Sequence, residues 1–197
     1  MKTSIHLIFA CIFALNAGHA KAMTIAFNPL STDVSVSDTF DVDVNISGLG
    51  NEIVSAFGFN ILYDANIVSA SNISFNNQLN NGIHFFSLQS FSIDDSTHQG
   101  HINISEISFL PDSFLESIQL DNVTLATLSF TAIATGTSAL DFSFDLFQGV
   151  SGTGAHRLNL TESPGAVSVE AINIPEPPTA FLIIAAILAL MMKSKRI

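Results

Sequence analysis

Cysteine is nearly missing from this chain. The single one, Cys11, sits in an apolar stretch near the N-terminus, so the remainder can form no internal disulfide. Stability has to come from burial, and a segment of about 150 residues can bury roughly two thirds of its unfolded surface. Tryptophan is absent and Tyr63 is the only tyrosine. Sugar-binding sandwiches usually stack rings on exposed amphipathic aromatics, so a platform of that kind is disfavoured. The 17 phenylalanines are expected mostly at inward positions.

Positive charge is scarce as well. The six bases are Lys2, Lys21, Arg157, Lys193, Lys195 and Arg196, and only Arg157 lies between the two terminal segments. Sixteen acids share that region with it, a balance of −15 over 23–174. A surface this acidic repels nucleic acid and anionic headgroups. It suits a calcium-rich or salty exterior, or simply keeps an exported protein soluble. G-x-S-x-G, H-E-x-x-H and a phosphate-binding glycine loop are all missing, and no pair of carboxylates stands out for glycoside chemistry. An enzyme is therefore not expected.

What is present begins with the leader MKTSIHLIFACIFALNAGHAKA. Lys2 supplies a positive start, Ile5 to Leu15 an apolar run, and Ala20-Lys21-Ala22 a small-residue cleavage site. Residues 1–22 read as a secretory signal peptide. Cleavage after Ala22 would leave Met23 first.

From there to about residue 174 the hydrophobic period is two. In DTFDVDVNIS, Phe40, Val42, Val44 and Ile46 alternate with Asp41, Asp43 and Asn45; in ALDFSFDLF, Leu140, Phe142, Phe144 and Leu146 are expected inward. Turn-prone clusters such as SGLGNE, NNQLNNG, DDSTHQG and ATGTS separate the runs. The pattern predicts nine strands, near 24–28, 40–46, 53–62, 67–75, 84–93, 100–109, 122–134, 138–147 and 166–174. It predicts one helical turn at 112–118 and a bulge at Ala171-Ile172. Segment 53–62 is apolar on both faces, as a central strand would be. Residues 148–165, rich in glycine and holding Arg157, read as a long irregular loop. Together this describes an all-β sandwich.

The stretch Phe57-Gly58-Phe59-Asn60-Ile61-Leu62-Tyr63-Asp64-Ala65-Asn66-Ile67-Val68 resembles the first half of a cohesin domain, and ATLSFTAIATGTSAL (126–140) its later part. The resemblance spans roughly 24–174 and implies a nine-stranded jelly roll. Ala65 stands where that family usually has proline. A family of this kind implies a non-catalytic module binding another surface protein, a dockerin-like partner, through one sheet face.

The chain ends IPEPPTAFLIIAAILALMMKSKRI. Pro175, Pro177 and Pro178 favour extended backbone. The apolar run 179–192 makes a helix of about 20 Å, short against a bilayer core of about 30 Å. Lys193, Lys195 and Arg196 follow and would stay cytoplasmic. This three-part tail, 175–197, resembles the PEP-CTERM sorting signal of Gram-negative bacteria, with Pro175, Glu176 and Pro177 as its motif. The resemblance implies transient anchoring in the inner membrane, processing by an exosortase and delivery to the outer surface or extracellular matrix, often beside exopolysaccharide. The alternative function is therefore a polysaccharide-binding module of that matrix.

Candidate metal ligands are few. His98-x-x-His101 falls in a turn with no third ligand in view, short of what zinc needs. Asp41 and Asp43 on one strand face, and Asp94-Asp95 in a turn, offer oxygens for calcium, but no D-x-D-x-D-G loop is encoded. The two readings are a solvated acidic face and a calcium-bridged contact to an acidic glycan; no other cofactor is implied.

Overall fold

A strand with apolar residues at every second position must lay that face on another apolar face, and two such sheets do so here. In the computed structural model, residues 22–146 and 148–172 are described. The expected signal peptide up to Lys21, and the tail expected to carry the sorting motif, apolar run and basic end, lie outside the described residues. No helix among the described residues is long and apolar enough to cross a membrane.

The first sheet contains β1 (Thr24–Asn28), β3 (Thr39–Ser47), β5 (Val68–Phe75), β8 (Asn122–Ala132) and β11 (Thr161–Ser163), in the order β11-β1-β3-β8-β5. The second contains β2 (Ser31–Ser35), β4 (Ala56–Asp64), β6 (Ser87–Asp94), β7 (Gln99–Ser108), β9 (Gly136–Ser143), β10 (Gly149–Ser151) and β12 (Gly165–Glu170). Its order is β2-β12-β9-β4-β7-β6, with β10 also pairing with β4. Among the described residues one α-helix, α1 (Asp112–Ile118), crosses from the second sheet to the first.

All nine expected strands occur. Segment 84–86 forms a 3-10 turn before β6, and the strand expected from residue 53 starts at Ala56. Three short strands were not expected. β2 carries one apolar side chain, Val34, and β10 and β11 are three residues each, too short for a period to show. The expected bulge at Ala171-Ile172 does not form: β12 ends at Glu170, and both residues are exposed without a partner strand. Register shifts occur instead at Val44/Asn45 and Ala70/Asn72, both against β8.

The core is aliphatic with an aromatic seam. Val42, Val44 and Ile46 face Phe59, Ile61, Ile102 and Ile104, all fully buried. Phe27 of the first sheet stacks on Phe142 of the second with centroids 4.2 Å apart, and Phe142 meets Phe59 edge-on at 5.7 Å. Tyr63 packs edge-on against Phe130 at 5.4 Å. Leu146 was expected inward but is 85% exposed, because β9 stops at Ser143 and its alternation stops with it.

Tyr63 also locks one end of the sandwich. Its hydroxyl bonds Asp95 in the β6–β7 turn, and Asp95 accepts Ser69 Oγ of β5 at 2.7 Å, so three elements from both sheets meet there. Ala65, where proline would be usual, donates its N–H to His98 O at 3.0 Å, a bond proline could not make. The Tyr63 ring lies across Gly100, its cross-strand partner. A Cβ at Gly100 would stand 2.2 Å from Tyr63 Cε2. Gly100→Ala is expected to destabilise the domain by about 1–3 kcal/mol. Denaturant unfolding should show Tyr63→Val relieving part of that loss in the double variant, whereas additive losses would rule the contact out.

Candidate functional site

The outer face of the second sheet is set by register. Since inward positions of β4 are Phe57, Phe59, Ile61 and Tyr63, outward ones are Ala56, Gly58, Asn60 and Leu62. Across β7 and β6 the outward rows read Ala56–Ile107–Leu88, Gly58–Ser105–Ser90, Asn60–Asn103–Ser92 and Leu62–His101–Asp94. On the other side β10 places Gly149 beside Gly58 and Ser151 beside Ala56. A shallow groove of about 500 Å³ follows, floored by Gly58, Ser105 and Gly149 and bordered by Ile107, Leu146 and Arg157.

One border is amide-rich. Asn60 Nδ2 donates to Asp145 Oδ2 (3.2 Å) and Gln148 Oε1 (3.1 Å), and Asn103 Nδ2 donates to Asn60 Oδ1 (2.7 Å). These bonds pin Asp145 and Gln148 to the sheet. The opposite border is apolar. Leu88 and Ile107 form an exposed cross-strand pair. One pair of positions further along, Phe86 O accepts Phe109 N–H at 2.7 Å, and both rings are exposed, as is Phe85. Eight described phenylalanines do pack inward or against the core, but these three, with Phe91 and Phe114, are exposed. The expected strands 84–93 and 100–109 run through Phe85, Phe86, Phe91 and Phe109, but β6 begins at Ser87 and β7 ends at Ser108, so 85, 86 and 109 fall past the strand ends; Phe91 lies within β6 and Phe114 in α1.

Beneath this corner lies a buried acid. Glu106 occupies an inward position of β7, in line with Ile102 and Ile104, and is fully buried. Its Oε1 accepts Gln89 Nε2 (2.8 Å) and Asn80 Nδ2 (3.3 Å), while Oε2 has no partner. Asn80 also donates to Ser87 Oγ and receives the Gly82 amide, so the carboxylate holds the 77–86 segment down. Gln119, after α1, does the same for Val54, giving and receiving bonds with its backbone at 2.8 and 2.7 Å.

The candidate calcium ligands do not converge. Asp41 and Asp43 lie on β3 of the other sheet and accept Ser129 Oγ (2.7 Å) and Thr127 Oγ1 (2.6 Å). Asp95 takes Tyr63 and Ser69; Asp94 takes the Ser96 amide, and those Ser96 bonds hold its carboxyl below the usual range. Burial pushes Asp95 up. His98 contacts Asn66 Oδ1 at 2.8 Å, and His101 stands opposite Asp94. Among the described residues no three acids, histidines or cysteines form a metal-binding group. Ala22 is exposed just ahead of β1, while Ala20 lies outside the described residues.

The architecture matches cohesin domains. It aligns with the seventh ScaB type I cohesin from Pseudobacteroides cellulosolvens at 18% identity, covering 79% of this chain and 97% of that one, TM-score 0.57. A cohesin from a type I cohesin–dockerin complex of Clostridium thermocellum aligns at 13% identity over 76% and 99%, TM-score 0.59. A non-cellulosomal cohesin from the archaeon Archaeoglobus fulgidus aligns at 13% over 77% and 94%, TM-score 0.50. No protein-family model and no curated protein matches the sequence. The chain therefore has a cohesin-like fold: a two-sheet β-sandwich spanning nearly the whole length of these domains.

Glu106 yields a pH prediction. Burial raises its pKa above the ordinary 4.5, against the lowering effect of bonds from Gln89, Ser87 and Asn80. The folded state thus holds this proton more tightly than the unfolded chain. Its contribution is fully favourable below pH 4.5 and is lost as pH rises through the elevated folded value. Glu106→Gln should unfold at higher denaturant than wild type at neutral pH, with the difference shrinking in acid. A difference independent of pH would show that ionisation of Glu106 is not the cause.

Proposed function

We propose that this chain is an exported, non-catalytic adhesion or scaffold module that binds a dockerin-like protein partner through the outer face of β9-β4-β7-β6. The observation that carries the reading is the exposed apolar corner of Leu88, Ile107, Phe86 and Phe109 beside the groove. Contiguous apolar surface rimmed by polar groups marks an interaction site in a soluble domain. The fold supports the same reading, since solved relatives of this architecture include cohesin–dockerin complexes. The acidic balance favours approach of a basic partner surface.

The test is capture from the host's extracellular fraction on the full chain, with and without a calcium chelator. A defined protein held by wild type and lost with Leu88→Asp/Ile107→Asp supports the reading. Polysaccharide recovered alone would replace it with the matrix-binding function, and chelator sensitivity would then point to the Asp94–Asp95 turn or the Asp41/Asp43 stripe as the calcium bridge.

The route to the surface rests on the sequence: a signal peptide cleaved after Ala22 and an exosortase-processed tail with Pro175, Glu176 and Pro177 at its motif. On this proposal Glu176→Ala leaves the chain in the inner-membrane fraction, while wild type leaves it. Equal release of both chains would count against exosortase processing.

A further inference from the structure

Arg157 is the only lysine or arginine among the described residues, and there it makes no ion pair despite sixteen acids. In a domain so acidic, a cation is expected to be neutralised internally. Acids of the neighbouring segments are engaged elsewhere. Asp145 accepts Asn60, Asp112 accepts the Gly154 amide at 2.7 Å, and Glu52 faces His156 at 3.6 Å. Glu162 lines the far side of Arg157 without reaching salt-bridge distance.

The exposed guanidinium lies over Gly149. Its Nε, Cζ and Nη2 lie 2.9–3.2 Å from where a Cβ on Gly149 would stand, so any side chain at 149 would push it off the groove wall. Beside it stand Leu146, 85% exposed, and Ile107, about half exposed. The floor is open at Gly58, where an added Cβ would make only ordinary contact with Ser105 Cβ at 3.5 Å. Charge, flanking apolar side chains and an open floor thus share one groove.

We propose that this groove takes a carboxylate-bearing segment of a partner protein, with an Asp or Glu side chain paired to Arg157 and a neighbouring apolar side chain seated between Ile107 and Leu146. The inference rests on the reading of this face as a protein-binding surface and adds the chemistry of the occupant. The surrounding acidity repels carboxylates everywhere else, so one acid in an otherwise basic or neutral segment finds a single place to land. That fixes orientation and register more than it adds affinity.

The probe is a displayed library of short random peptides, panned on the full chain as wild type, Arg157→Gln, Arg157→Lys and Gly58→Gln. Wild type should enrich peptides that place Asp or Glu close to Leu, Ile or Phe. Arg157→Gln should bind the enriched peptides roughly tenfold or more weakly, the scale of a charged hydrogen bond. Arg157→Lys should recover part of that, because it keeps the charge and loses the planar fork. Gly58→Gln, which fills the floor, should lose apolar and acidic preference together. Enriched peptides without an acid overturn the carboxylate inference while leaving a protein-binding face intact. No peptide enrichment, or Arg157-dependent binding of polygalacturonate instead, also overturns it; the capture experiment with Leu88→Asp/Ile107→Asp judges the broader reading separately.

Discussion

The register of the strands around the Phe27–Phe142–Phe59 seam governs nearly everything else in this molecule. Side chains alternate with a strict period of two, so sliding β4 by one residue would send Phe57, Phe59 and Ile61 to solvent and bring Gly58 and Asn60 into the core. The cost of exposing those rings excludes the slip. With β4 fixed, β7, β9 and β10 are fixed by their pairing to it, and so is the set of residues that reach the outer face. The groove is the complement of the core: what the inward positions do not use is what a partner meets.

Long connections would blur that face if they moved freely, and here buried polar side chains hold them. Gln119 secures the chain at Val54, Glu106 with Asn80 secures the 77–86 segment, and Asn60 secures Asp145 and Gln148. Buried polar groups are costly unless bonded. Gln119 and Asn60 are well satisfied, whereas Glu106 leaves one oxygen without a partner. In a chain without disulfides these contacts do the work of cross-links, through geometry that depends on protonation and packing rather than on redox state.

Much of the fold was legible in the sequence because alternation is a local signal. β3 and β9 announce themselves in their own residues, and β4 reveals its central place by being apolar on both sides. Glu106 could have been found by parity, as an acid in step with Ile102 and Ile104. The site was less legible. Arg157 is conspicuous by count, but its place beside Gly58 depends on β10 crossing to β4, a pairing of residues some ninety positions apart that no local pattern encodes. The apolar corner was hidden for a related reason: Phe85, Phe86 and Phe109 were expected inside strands 84–93 and 100–109 but lie just past the observed strand ends, where alternation no longer assigns a face.

The direction of β12 has a consequence for how the module is presented. It runs antiparallel to β9 and finishes beside Gly136, beyond the Asp64 end of β4, whereas Arg157 and the groove lie at the Ala56 end. At 3.3 Å per residue the two ends are separated by roughly 25 Å of strand. Glu170, where β12 ends, thus lies at the pole opposite the groove. Seen from that pole, the groove is on the far side of the sandwich, open to a partner that approaches from the opposite direction.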